Sequence, residues 1–410
     1  FFMPIHTRDQ YWILETARTA YAFGLDASGA LTHAYWGARL PYAEDYPAPP
    51  AVTEWASFNG AEHRRREEYP TPRGTRYIEP CLKVIYADGV RDTHLVLQHA
   101  DILNDDELHL TLHDAHYPLT VTLVYKVHAA YDLIERRAIL TNRGHDSMRV
   151  ERVFSASWHL PGGTGYRLRH LTGKWYDEFH LNCEPLTEGV KVLESRRITT
   201  SHHHNPFFTL DRSADETHGA VWFGLLAWSG AWKLAAEIPA GFDTPRISIG
   251  LNDWDFAHVL ESGESFSTPP ALAGYTEGGY GAASHLLHEY IRGQVVPHPD
   301  VPRQVLYNAW EAAMFDFDEH KQMNLANIAA ELGIELFVMD DGWFKGRYHD
   351  RAGLGDWTPD PARFPDGLGR LVSHVNGLGM DFGLWVEPEM VNPDSDLYRQ
   401  HPDWVIYYPT

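Results

Sequence analysis

The chain has 410 residues, 44% hydrophobic, 13% aromatic and 22% charged, a globular mix that excludes a disordered or collagen-like protein. At roughly 150 residues per domain the length leaves room for two or three domains. With 56 acidic and 34 basic side chains the net charge is −22, which repels phosphate backbones and anionic lipid and argues against nucleic acid and membrane partners. Such a surface favours a neutral or cationic substrate.

The two cysteines, Cys81 and Cys183, form no C-x-x-C. That excludes a disulfide framework or zinc ribbon and suits a reducing cytoplasm, where the protein is expected. One disulfide between them stays open. No apolar run approaches the ~18–20 residues of a membrane span. Phe1-Phe2-Met3-Pro4 lacks the basic start and apolar run of a secretory signal.

The first two-thirds reads as β. In Leu119–Val127 the odd positions are apolar and most even ones polar, the period-2 mark of a half-buried strand. Leu108–His113 and Arg246–Ile249 repeat the pattern, and clusters such as Asn142-Arg143-Gly144 and Pro161-Gly162-Gly163 punctuate the runs. Short strands without long helices between them predict one large antiparallel β-sandwich over residues 1–275. Residues 282–292 look helical, within a linker spanning 276–300. Pro297, Pro299 and Pro302 mark a boundary near 300.

Beyond the boundary the period changes. Leu306–Trp310 reads as a strand. Leu325, Ile328, Ala329 and Leu332 follow at helical spacing, closed by Gly333. Ile334–Met339 reads as a buried strand, Leu368–Leu378 as an amphipathic helix and Asp381–Val386 as a third strand. This alternation is parallel α/β grammar. Residues 301–410 are therefore expected to form an incomplete (β/α)8 barrel of about three strands. Eight strands and ~250 residues make a full barrel. Three cannot close, so the stretch is expected to belong to a longer barrel.

Each strand ends in acids or tryptophan: Trp310-Glu311, Asp340-Asp341-Gly342-Trp343, and Trp385 through Glu387-Pro388-Glu389, with Asp356-Trp357 on a loop between. C-terminal strand ends form the active face of such a barrel. Carboxylates accept hydrogen bonds from vicinal hydroxyls and indole faces cover the apolar side of a sugar ring, so the mixture suits carbohydrate. Read singly, the Asp340-Asp341 pair would cap a turn and Trp310 and Trp385 would be core aromatics. Their convergence favours a pocket. His202-His203-His204 cannot all face one ion and precedes a proline turn, so a loop is expected there, with no metal and no cofactor.

Tyr307–Ala312, Leu336–Phe344, Leu354–Trp357 and Gly383–Met390 together resemble the microbial α-galactosidases of glycoside hydrolase family 36. Glu68-Tyr69-Pro70, Glu194–Arg197 and Ser201–Phe207 resemble that family's N-terminal β-domain, so the likeness runs along the whole chain. The resemblance implies retaining hydrolysis of terminal α-galactosides such as melibiose and raffinose, releasing galactose, by a cytoplasmic homotetramer. It implies that Asp340 and Asp341 hold sugar hydroxyls, that Trp310 and Trp385 wall the subsite, and that Trp175 reaches toward substrate from the β-domain. A neighbouring β-domain supplies an Asp in the family. Here Ala51–Trp55 holds none, and Glu54 and Trp55 are the residues available instead.

The family's nucleophile and acid/base lie on later barrel strands, so no catalytic carboxylate is expected within residues 1–410. A retaining pair stands ~5–5.5 Å apart, whereas adjacent strand residues such as Asp340 and Asp341 point to opposite faces. The alternatives are an α-N-acetylgalactosaminidase, a raffinose-type galactosyltransferase, or a non-catalytic galactoside-binding protein.

Overall fold

A computed structural model describes residues 3–52, 60–74 and 76–408. The chain divides into two compact units, with the break between Val296 and Pro297.

Alternation builds the first unit. Along Leu119–His128, Leu119, Val121, Leu123, Tyr125 and Val127 are buried while Thr120 and Thr122 are half-exposed. Leu133–Asn142 pairs with it antiparallel, from Leu119 opposite Asn142 to His128 opposite Leu133. Among the described residues Ile5–Arg8, Tyr11–Glu15, Thr19–Leu25 and Leu31–Ala38 form an up-and-down sheet. A six-stranded sheet is organised around Met148–His159 and Arg246–Leu251, and a ten-stranded sheet runs from Leu95–Asn104 through Leu133–Asn142 to Asp177–Pro185. Their inner faces share one core that includes Tyr21, Trp36, Tyr125, Trp158, Phe208 and Trp232. The expected antiparallel β architecture therefore holds.

One charge pair is sealed in that core. Glu68 accepts hydrogen bonds from the hydroxyls of Tyr21 and Tyr125, each at 2.7 Å, and stands 3.0 Å from Arg136 Nη2. The Arg136 guanidinium lies 4.7 Å from the ring centres of Tyr125 and Trp158. A buried carboxylate survives only with such a complete set of partners.

The segment read as a linker carries the helix Gly279–Tyr290, which packs within the first unit: Ala283, Leu286 and Leu287 are buried with Leu133, Phe223 and Leu272. Gly279 is required at its start. Its φ is +72°, and a Cβ there would sit 2.4 Å from the Asp215 carbonyl oxygen.

The second unit carries three parallel strands, Leu306–Asn308, Leu336–Met339 and Asp381–Leu384, with Leu306 opposite Leu336 and Leu336 opposite Asp381. The first is shorter than predicted. Asn308 Oδ1 accepts the Trp310 amide at 2.8 Å, and this local bond turns the chain into the one-turn helix Trp310–Ala313. The helix Glu319–Glu331 starts where Asp318 accepts the Lys321 amide at 2.8 Å and ends before Gly333, whose φ is +80°. Its buried seam follows Gln322, Ala326 and Ala329, while Ile328 and Leu332 of the predicted stripe are 55% and 76% exposed. Small alanines let the helix approach the sheet closely, and the larger residues turn outward. The third strand ends at Leu384 rather than Val386 and is partly exposed, because no further strand covers that edge among the described residues.

Candidate functional site

Strand Leu336–Met339 delivers the acid pair, but both aspartates lie just past its end, on a turn that Gly342 completes at φ +96°. They are therefore not held to opposite faces of a regular strand. Asp340 Oδ2 accepts from Asn308 Nδ2 at 2.5 Å, and its Oδ1 accepts the Asp341 amide at 2.7 Å. Asp341 turns inward. Its Oδ1 accepts the Gly342 amide at 2.6 Å, and Arg347 clasps both oxygens, Nε at 2.9 and 3.1 Å and Nη2 at 2.8 Å.

The tryptophans separate by role. Trp343 is 3% exposed and donates Nε1 to the Trp385 carbonyl at 2.9 Å, tying two strand ends together from within the core. Trp357 stacks on Trp343 at 6.3 Å and meets Trp385 edge-on at 6.4 Å, and both Trp357 and Trp385 are half-exposed. Trp310, also half-exposed, stands edge-on to Phe315 at 5.1 Å. Half-exposed indoles and a carboxylate with acceptor capacity left over suit a sugar ring.

Glu387 is half-buried, and its carboxyl is pushed above the ordinary range by burial first, then by the charges of Glu389 and Asp341, against the pull of Arg347. That places it in the electrostatic reach of Asp341. Asp356 is committed elsewhere: its Oδ2 accepts the Asp396 amide at 2.8 Å and its Oδ1 the Leu397 amide at 2.9 Å. It caps the short helix Asp396–Gln400 alongside Ser395, so its oxygens fasten two loops.

Trp175 belongs to the first unit, 69% exposed at the tip of the hairpin formed by Arg167–Lys174 and Asp177–Pro185, its ring tilted against that of Tyr176 with centres 4.4 Å apart. Glu54 and Trp55 lie outside the described residues. His202 and His203 are exposed on a turn, with His203 3.3 Å from Arg197.

Sequence reasoning missed Asn308, Arg347 and Arg363. Arg363 donates to the Gly342 carbonyl, and at 2.6 Å to the Phe315 carbonyl, and so braces the turn from behind. The available signal was that a strand-end Asp buried beside another acid needs a cation, and Arg347 lies six residues on.

Comparison with known proteins gives two family matches: the glycosyl hydrolase family 36 N-terminal domain over residues 29–261 and melibiase over residues 265–410. The α-galactosidase AgaA of Geobacillus stearothermophilus is 37% identical, over 97% of this chain and 58% of its own length. The crystal structure of the family 36 α-galactosidase AgaB from the same organism superposes with a TM-score of 0.90 at 35% identity, covering all of this chain and 60% of that one. A variant of AgaA solved in complex with raffinose gives 0.89 at 35% identity, covering 98% of this chain and 59% of that one. The chain thus spans less than two-thirds of the length of these relatives.

Proposed function

This chain belongs to glycosyl hydrolase family 36, and we propose that it is the sugar-holding part of an α-galactosidase. The reaction is hydrolysis, with retention, of terminal α-D-galactosyl residues from melibiose- and raffinose-type oligosaccharides. One observation carries the reading: a strand-end acid pair, anchored by Asn308 and Arg347, has one open carboxylate among the half-exposed indoles of Trp310, Trp357 and Trp385. The names of the α-galactosidase relatives and the raffinose complex of one of them support the same substrate class.

Asp340 is the principal acceptor of sugar hydroxyls, Asp341 a second and more constrained one, and the indoles shield the ring's apolar face. Hydroxyl contacts of this kind tighten as the ring flattens toward the oxocarbenium-like state, so they act on the rate as well as on binding. The nucleophile and acid/base, which must stand ~5–5.5 Å apart, come from outside these 410 residues.

The test is hydrolysis of raffinose by the full-length protein. Asp340→Ala is expected to lower kcat/KM by about 100-fold or more. Near-normal rates in Asp340→Ala would overturn the reading. Turnover of a 2-acetamido analogue would point to an N-acetylgalactosaminidase, galactosyl transfer without hydrolysis to a transferase, and galactose binding without turnover to a lectin-like protein. A homotetramer and a cytoplasmic site complete the proposal. Light scattering tests the first. The unpaired state of Cys81 and Cys183 supports the second, which fractionation tests.

A further inference from the structure

We propose that Arg347 is a positioning residue of this site, acting through Asp341, and that the site needs the fork of its guanidinium and not only its charge. The inference rests on the functional reading above.

The side chains of Asp341 and Arg347 are 9% and 5% exposed. A carboxylate so removed from water keeps its charge and a single orientation only if something in the protein holds both. Arg347 supplies that through Nε and Nη2, a two-point grip on both carboxylate oxygens. Its opposite edge is equally committed: Nη1 donates to the Ala352 carbonyl at 3.2 Å and to Asn392 Oδ1 at 3.0 Å. The guanidinium lies 5.6 Å from the Phe315 ring centre and 5.8 Å from that of Phe344. A lysine, a point charge on a flexible stem, cannot span these partners at once.

The grip decides what each acid offers. With the Gly342 amide added, three N–H donors already make four contacts with the Asp341 oxygens, so little of its acceptor capacity is left for a ligand. Asp340 accepts two and keeps about two. The fork therefore selects the edge of Asp341 that faces substrate. Asn392 Oδ1 also accepts the Leu354 amide at 3.1 Å, so the same arginine ties two loops to the acid. Misplacement of such a group by ~1 Å is enough to cost about 100-fold in rate.

The test compares Arg347→Lys, Arg347→Ala, Asp341→Asn and the double variant Arg347→Ala/Asp341→Asn in the full-length protein. Arg351→Ala, whose side chain is 90% exposed, serves as the control. Raffinose is the substrate, and circular dichroism monitors folding. Arg347→Lys and Arg347→Ala should each lose about 100-fold or more in kcat/KM, the larger part in kcat. The double variant should be no slower than Asp341→Asn alone, because both changes remove one unit. Added guanidinium ion should return about 10-fold to Arg347→Ala and nothing to Asp341→Asn. Wild-type rates in Arg347→Lys, or losses that multiply in the double variant, would overturn the inference. Should Arg347→Ala not fold, Arg347→Lys decides. A wild type that hydrolyses no α-galactoside would instead overturn the functional reading, and this inference with it.

Discussion

Asp340 and Asp341 are neighbours with opposite commitments, and mutation should separate them. Asp341→Ala strands a buried guanidinium and is expected to cost about 3–5 kcal/mol of stability in the second unit, as unpaired buried charges do. Asp340→Ala frees the Asn308 side-chain amide and the Asp341 N–H, neither of them a charge, and should cost about 1 kcal/mol while still reducing activity. Urea unfolding of the two variants checks the contrast. In the first unit the buried rings of His33 and His159 stack at 5.7 Å. Burial, then the charges of His33 and Arg246, holds His159 well below its ordinary pKa, and burial also lowers His33, against the pull of Glu68. The unfolded chain protonates these rings near pH ~6.5 while the folded unit does not. Stability is therefore complete above that pH and falls below it, by up to about 1.4 kcal/mol per pH unit for each histidine until the folded pKa is reached. Unfolding midpoints across that range should show the fall, and His159→Gln should flatten it.

At the scale of elements, caps and close approaches matter more than periodicity. Asp356→Ala removes the acceptor from the Asp396 and Leu397 amides, so faster hydrogen exchange at those two sites is expected, with a local loss of about 1 kcal/mol. Gly279→Ala forces a Cβ against the Asp215 carbonyl at φ +72° and should lower the unfolding temperature of the first unit by several degrees, read by calorimetry. The strand Leu119–His128 was legible because its period-2 pattern coincides with its burial. One boundary and one buried face were not. Trp310 left the strand because Asn308 bonded locally, and the helix Glu319–Glu331 buried alanines in preference to its larger apolar residues.

Across the whole molecule the two units differ in how completely they bury themselves. Among the described residues the first packs three sheets against a shared main core. The second presents Val305 and Leu306, 56% and 52% exposed, on one side and Leu384 and Val386, 37% and 50% exposed, on the other. An open parallel sheet with apolar borders is a docking surface for further strands. A fragment ending at Val296 is therefore expected to unfold cooperatively, and residues 297–410 alone to bind a hydrophobic dye and aggregate. A cooperative, dye-free transition in the smaller fragment would contradict this.

Sequence alone determined the β and α/β parts, the three strands with two helices between them and the acids at the strand ends, since all of these depend on local periodicity and turn chemistry. Tertiary structure decided the rest. Asn308 and Arg347 hold the acid pair, Arg363 braces the turn behind it through the Gly342 carbonyl, and Asp356 binds the backbone amides of residues 396 and 397. Which partner satisfies a buried charge depends on distances through space, and no spacing along the chain encodes those.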